Sequence, residues 1–163
     1  MASTPILTLA GAEKLLKSLE EFLDKSESMF AMVIDRGGTI LSQTGRPPES
    51  ADIVVLAALA AGSFAATREL ATRVGESEFN ALYQQGSHFH ILMSAADDDT
   101  MLVAIFGTQT TVGLVRFYAA RTADHIAIQM NELRAAVHDA PPIFTEEDLN
   151  ATGQVFENTP PKV

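Results

Sequence analysis

The chain has 163 residues, with 11 basic and 21 acidic side chains, a formal net charge of -10 and no cysteine. Its length fits one domain, and a hydrophobic content of 47% can supply a sizeable core, which argues against a disordered chain. The composition also excludes disulfides, iron–sulfur clusters, thiolate zinc sites and a cysteine nucleophile. The excess of acid disfavours nucleic acid and anionic lipid as partners.

Neither export nor membrane insertion is predicted. The first nine residues lack the basic region and the long apolar stretch of a secretory signal, so a cytoplasmic location is expected. The longest uncharged stretch, Ile53 to Thr67, has 15 residues, whereas a membrane helix needs roughly 20 apolar residues. We therefore predict that this stretch is a helix of a soluble domain.

The hydrophobic periodicity predicts three helices and five strands in the order α-β-β-α-β-β-β-α. Helices are expected from Ala10 to about Ser26, from Ala51 or Asp52 to Gly75, and from Val112 to about Val137. The strands are expected over residues 29–34, 39–43, 79–85, 88–94 and 101–106. Because the connections are local and of the hairpin type, the sheet should be mainly antiparallel, with helices covering its apolar faces. The fold class is α/β in the broad sense, an α+β sandwich.

The composition changes after residue 138. The last 25 residues contain two Pro-Pro pairs and an acidic run around Glu146. We assign residues 1–138 to the folded domain and residues 139–163 to an acidic, proline-flanked tail, which is expected to be flexible because it has few apolar residues to offset the entropy of ordering. Thr145 and Asp148 form a weak variant of a capping box within it.

The second predicted helix is apolar on two opposite sides. At about 100° per residue, the side expected to pack on the sheet carries Ile53, Leu56, Ala60, Ser63, Thr67, Leu70 and Val74. The other side carries Val54, Val55, Ala58, Ala61, Gly62 and Ala65, followed by Glu69 and Thr72. Small side chains let another backbone approach closely, and a helix that is apolar all round is normally buried on both sides. This second side predicts a partner protein; the alternative is that the first or last helix covers it.

No motif of an enzyme or of a nucleotide-binding protein is present. The patterns G-x-x-x-x-G-K-[ST], G-x-S-x-G, H-E-x-x-H and G-x-G-x-x-G are all missing, and no cofactor is expected. His88 and His90 would lie on one face of a strand and bind zinc only with a third ligand; we favour histidines that are solvated or hydrogen-bonded. Asp97-Asp98-Asp99 lacks the ligand spacing of a calcium loop and is predicted to be a solvated turn.

The order of elements and several segments resemble the roadblock/LC7 family. The segments are Leu56–Ala66, Val33–Gly38 before the return strand, Leu70–Glu76 at the end of the second helix, and Leu102–Gly107 leading into Thr110–Arg116. The last two resemble the bacterial MglB branch of the family most closely. The resemblance covers about residues 9–137.

The resemblance implies a homodimer that forms through the central helix and an edge strand, so that the two sheets become continuous. Val54, Val55, Phe79 and Leu82 are then the expected interface residues. Proteins of the MglB branch bind GTP-loaded, MglA-like small GTPases and accelerate hydrolysis by repositioning the catalytic residues of the GTPase itself, without supplying an arginine finger. Carried onto this sequence, the expected GTPase-facing residues are Ala58, Ala61, Gly62, Ala65 and Glu69.

Three hypotheses follow from the sequence. The first is a cytoplasmic, dimeric GTPase activator in cell polarity or gliding motility; the second is a scaffold dimer that recruits partners without changing a reaction rate. The third is a metal-dependent enzyme that uses His88 and His90. Arg68 and Glu69 depart from the small residues that the MglB branch often has at these positions, which implies either a narrower groove or a partner of matching charge. The acidic segment Phe144–Leu149 resembles a terminal segment with which some MglB proteins contact the GTPase.

Overall fold

The computed structural model describes residues 8–138, which form three helices and five strands in the predicted order. The helices are α1 (Leu9–Ser26), α2 (Ile53–Arg73) and α3 (Val112–His138). The strands are β1 (Phe30–Asp35), β2 (Ile40–Gly45), β3 (Ala81–Gln85), β4 (His90–Ala95) and β5 (Thr100–Phe106). The tail at residues 139–163, with its capping box and its acidic segment, lies outside the described residues and stays a prediction.

The five strands form one sheet in the order β2-β1-β5-β4-β3, and every neighbouring pair is antiparallel, as predicted. The central strand β5 is buried along its whole length. Its side chains alternate between the two faces, so that Leu102 and Ala104 join the core beneath α1 and α3 while Val103 and Ile105 join the core beneath α2. The molecule is therefore a three-layer sandwich with α2 alone on one face.

Local signals place the ends of α2 and the first hairpin. Asp52 is the N-cap of α2, since its Oδ1 accepts hydrogen bonds from the backbone N–H groups of Val54 (3.1 Å) and Val55 (3.2 Å). Gly75 follows the helix in a left-handed conformation with φ of 85°, which a side chain rarely adopts. In the first hairpin, Asp35 Oδ1 accepts from the backbone N–H groups of Gly37 and Thr39. The tips of the first hairpin and of the β4–β5 hairpin both lie against α2, at Ala58 and at Arg68.

Helix α2 sits on the sheet through a side that partly matches the one predicted: Ala60 is buried and Ile53, Leu56, Ser63 and Thr67 are half-buried, as expected. Its buried residues are Ala57, Ala60, Ala61 and Phe64. Ala61, predicted to face outward, has only 4% of its surface exposed, whereas Leu70 and Val74, predicted to face the sheet, are exposed. The prediction was wrong here because a helix that is apolar all round gives little contrast from which to read its rotation. From Ala65 to Arg73 no residue of α2 is fully buried.

Candidate partner-binding surface on α2

The outer side of α2 is an exposed apolar surface. Val54, Val55, Leu59 and Leu70 are exposed large side chains, and the intervening small residues that are exposed are Ala58, Gly62, Ala65 and Ala66. The alternative that the first or last helix covers this side is wrong, since α1 and α3 pack on the opposite face of the sheet. An exposed apolar surface of this kind marks an interaction site.

By length and composition α2 is also long and apolar enough to cross a membrane, and only 22% of its most apolar stretch of 18 residues is buried. It is the one such helix in residues 8–138. The 15 uncharged residues considered in the sequence therefore understate its length, which is 21 residues. Arg68, Glu69 and Arg73 lie in its second half, where charge is costly in hydrocarbon, and each forms an ion pair within the protein. Contact with protein is the simpler use of this surface.

A charged pocket lies on one flank of α2, between the helix and the tips of two hairpins. Its volume is about 420 Å³. The residues that line it are Arg36, Ala61, Phe64, Ala65, Arg68, Glu69, Thr72, Asp97, Asp98, Thr100 and Met101. Phe64, Ala61 and Met101 supply apolar lining, while the arginines, carboxylates and threonines supply polar groups. The pocket can thus accept a partner side chain that carries both an apolar stem and a polar end.

The turn between β4 and β5 binds three arginines from three different elements. Asp98 Oδ1 lies 2.9 Å from Arg68 Nη2 on α2, and Asp99 Oδ1 lies 3.2 Å from Arg36 Nη1 in the first hairpin. Asp97 pairs with Arg134 on α3. The predicted turn is present and Asp98 is solvated as predicted, with 90% of its side chain exposed. Asp97 and Asp99 are partly buried, and each of the three carboxylates pairs with an arginine that the fold brings close.

The pair of Asp97 and Arg134 is the most enclosed of these. Arg134 Nη1 donates to Asp97 Oδ2 at 2.8 Å, and Arg134 Nη2 donates to Thr100 Oγ1 at 3.2 Å. Partial burial alone would raise the pKa of Asp97, but hydrogen bonds from Arg134, from the backbone N–H of Asp99 and from Thr100 outweigh it and hold that pKa below its ordinary value. The same pair raises the pKa of Arg134. The β4–β5 turn, which forms one wall of the charged pocket, is therefore bound to α3 on the opposite side of the sheet.

An apolar groove of about 320 Å³ lies on the other flank of α2, toward β4 and the edge strand β3. Its lining residues are Leu56, Leu59, Ala60, Ser63, Gln84, Ile91, Met93 and Val103. Leu59 is exposed at its rim, and Gln84 of β3 donates from Nε2 to Ser63 Oγ at 3.4 Å. The groove thus adjoins an edge strand whose outer side pairs with no other strand in residues 8–138.

Comparison with known proteins decides the family. Residues 15–106 match the family described as "Roadblock/LC7 domain", which is more than half of the chain. The chain is a roadblock/LC7 protein. Among the curated proteins none matches it.

Solved structures of MglB proteins share the fold of this roadblock protein. Gliding protein MglB of Thermus thermophilus is 28% identical with a TM-score of 0.75, over 81% of this chain and 99% of that one. An MglB described as having a tetrameric arrangement is 28% identical with a TM-score of 0.76, over 82% and 99%. Myxococcus xanthus MglB is 25% identical with a TM-score of 0.71, over 78% and 96%. The resemblance to this branch is confirmed.

The structure brings together most of the residues expected to face a partner. Ala58, Gly62, Ala65 and Glu69 are exposed on one side of α2, and Ala65 and Glu69 line the charged pocket. Ala61 is buried on the side of α2 that faces the sheet. The bulky charges at 68 and 69 do not project freely, since Arg68 binds Asp98 and Glu69 accepts from Arg73 Nε at 2.7 Å.

The residues expected at a dimer interface differ in their exposure and stay a prediction. Val54 and Val55 are exposed on α2, whereas Phe79 and Leu82 are half-buried and pack against the core beneath α2. The rings of Phe79 and Phe64 are in contact, tilted by 40° with centres 5.2 Å apart. The sequence reasoning missed the apolar groove, although the spacing of Leu56, Leu59 and Ser63 is a signal that those residues share a helix flank.

The two histidines of the zinc hypothesis have different surroundings in the structure. His90 is on β4, where its Nδ1 lies 2.9 Å from the hydroxyl of Tyr83 and its ring stacks on Phe106. His88 is exposed and precedes the strand, which begins at His90. Within the part of the chain that the structure describes, no group of three or more candidate metal ligands comes together. His90 therefore has a structural partner, as the simpler interpretation of the sequence expected.

Proposed function

We propose that this roadblock protein is a homodimeric activator of a GTP-bound, MglA-like small GTPase. In this proposal it acts in cell polarity or gliding motility and has no active site of its own. The observation that carries the proposal is the outer side of α2, which is apolar, exposed and flanked by a pocket on each side. The MglB structures, which it matches over nearly their whole length, support the choice of partner.

The homodimer is proposed to form on the flank of α2 that faces β3. The apolar groove and the edge of β3 are contiguous there, so a second copy can bury Leu59 and extend the sheet in one contact. A solved MglB with a tetrameric arrangement supports self-assembly in proteins of this branch. Val55 is exposed in the first turn of α2 and can join such an interface.

The GTPase is proposed to bind over the opposite flank, at Ala58, Gly62, Ala65 and the charged pocket. Each charged residue that lines this pocket has an ion-pair partner in the pocket or beside it, so no uncompensated charge has to be desolvated when a partner covers it. Activation then consists of holding the switch region of the GTPase in a productive position, which requires a rigid surface and no catalytic group from this chain.

The test measures single-turnover GTP hydrolysis by a purified MglA-type GTPase with and without this protein. Ala65→Arg places a long cation at the mouth of the charged pocket beside Arg68, and we expect it to abolish complex formation and stimulation while the dimer stays folded. The matched control is Ala120→Arg, an exposed position on α3 on the far side of the sheet, which should stimulate like the wild type. Undiminished stimulation by Ala65→Arg would show that this flank is not the contact surface.

The same assay separates activation from scaffolding. A wild-type protein that binds the GTPase and leaves its single-turnover rate unchanged is a scaffold dimer, the second hypothesis. A cytoplasmic location belongs to the proposal and is tested by fractionation of cells that express the full chain.

A further inference from the structure

Helix α3 exposes a stripe of residues on the opposite side of the molecule from α2. Its buried side carries Val115, Ala119, Thr122, Ile126 and Met130. The opposite side carries Leu114, Phe117, Arg121, Asp124, Ile128 and Asn131, all of which are exposed. Phe117 and Ile128 have 55% and 57% of their surfaces exposed. We call these six residues the α3 stripe.

The centre of the α3 stripe is an arginine and an aspartate between two hydrophobic side chains. The guanidinium carbon of Arg121 lies 5.6 Å from the ring centre of Phe117. Five ion pairs form within residues 8–138, and neither Arg121 nor Asp124 belongs to any of them. Both charges are therefore free to pair with a group outside residues 8–138.

The spacing of the stripe is the same in both directions. Its members are spaced by three, four, three, four and three residues, which is the spacing that keeps a stripe facing a neighbouring helix. The sequence of chemical types is apolar, apolar, cation, anion, apolar and polar. An antiparallel pair of such helices, related by a two-fold axis at the middle of the stripe, places Phe117 opposite Ile128 of the other copy. It also places Arg121 opposite Asp124 of the other copy.

The layer that carries the stripe is neutral in an otherwise acidic protein. Helices α1 and α3 together contain six acidic and six basic side chains, whereas the whole chain has a formal charge of -10. Two copies that meet through this layer avoid the repulsion that opposes association elsewhere on the surface. The complementary charges also fix the antiparallel direction, because a parallel pairing would place like charges opposite each other.

We propose that a second copy of this chain binds the α3 stripe as an antiparallel, two-fold-symmetric helix pair. Each copy contributes the same residues, so the contact of Phe117 with Ile128 and the ion pair of Arg121 with Asp124 each form twice. The stripe lies on the far face of the sheet from α2, and this contact therefore leaves α2 and both of its flanks open. A single helix pair buries less than a standard interface, and we expect association at concentrations on the order of 10–100 µM.

Charge reversal tests the pairing in the full chain by sedimentation velocity over a series of concentrations. Arg121→Asp and Asp124→Arg each place like charges opposite each other, and each should remove the association step. The double variant Arg121→Asp/Asp124→Arg exchanges the partners and should restore it. The control Arg116→Asp makes the same charge change on the same helix away from the stripe and should associate like the wild type. Single variants that still associate, or a double variant that does not, would overturn the proposal.

Cross-linking tests the register, and the absence of natural cysteines makes it clean. Phe117→Cys and Ile128→Cys proteins should be linked by a short bis-maleimide reagent when they are mixed, and much less when each is treated alone. Ala120→Cys mixed with Ile128→Cys is the control that should stay largely unlinked. Equal linking of each protein alone, or no linking in the mixture, contradicts the antiparallel register. Neither experiment depends on a GTPase or on the contact at α2, so the outcome is independent of the proposed function.

Discussion

Asp97 and Arg134 connect the wall of the charged pocket to α3. The exposure and hydrogen bonds of the two side chains allow an estimate of the coupling energy between them. Their side chains are 20% and 33% exposed, and two N–H groups of the guanidinium face the carboxylate at 2.8 and 3.4 Å. A charge-assisted hydrogen bond contributes about 1.5–3 kcal/mol and an exposed ion pair at most about 1 kcal/mol. For a pair that is about one-third exposed at one end, we expect a coupling energy of about 1–2 kcal/mol.

A double-mutant cycle of Asp97→Asn and Arg134→Met measures this coupling by urea unfolding at a fixed protein concentration. Asparagine keeps an oxygen for the backbone N–H of Asp99, which donates to Asp97 Oδ1 at 2.9 Å, and methionine keeps the arginine stem. The matched control is the cycle of Arg36 and Asp99 in the same turn, whose side chains are 69% and 37% exposed. The control coupling should be below about 0.5 kcal/mol.

The coupling should also depend on pH with a definite sign. Because the pKa of Asp97 in the folded protein is below its ordinary value of 3.8, the folded state keeps the carboxylate ionised where the unfolded chain binds a proton. The contribution is therefore complete above the ordinary value and is lost as the pH falls through the lower, folded value. A coupling no larger than that of the control pair at pH 7, or one that survives full protonation, would refute the reasoning.

Three further substitutions test the packing and the N-cap of α2. Phe64→Ala removes a buried ring that packs against Phe79 and should lower the free energy of unfolding by about 3–4 kcal/mol in urea; a loss under about 1 kcal/mol would contradict its place in the core. Gly62→Ala adds a Cβ with nothing within 4 Å and should raise stability by up to about 1 kcal/mol in the same assay, so a loss would show that the site is crowded. Asp52→Ala removes the N-cap and should cost about 1 kcal/mol, whereas Asp52→Asn should cost little.

The sequence alone predicted the elements whose signals are local. Helix α1 has one apolar stripe, and the regular spacing of Val115, Ala119, Ile126 and Met130 marks the buried side of α3, so periodicity determines both helices and the sides that they bury. The first hairpin and the ends of α2 follow from Asp35, Asp52 and Gly75, which act on backbone groups within a few residues. The order of elements, the antiparallel sheet and the resemblance to the roadblock family rest on such signals, and all three are confirmed.

Strand boundaries were less accurate where pairing decides them. The predicted strands over 79–85 and 88–94 begin at Ala81 and His90 in the structure, because only those residues have partners on neighbouring strands. Phe79 instead packs against Phe64, and the exposed His88 lies in the turn.

The tertiary structure alone decided how the candidate surface is built. The rotation of α2 depends on which side chains fit the sheet: Ala57, Ala61 and Phe64 are buried beside the predicted Ala60, whereas Leu70 and Val74 of the predicted side are exposed. The three arginines that bind the β4–β5 turn are 30 to 63 residues away along the chain from their aspartates. Periodicity and capping report on neighbours within a few residues, whereas pockets and ion pairs of this kind exist only once distant segments have packed together.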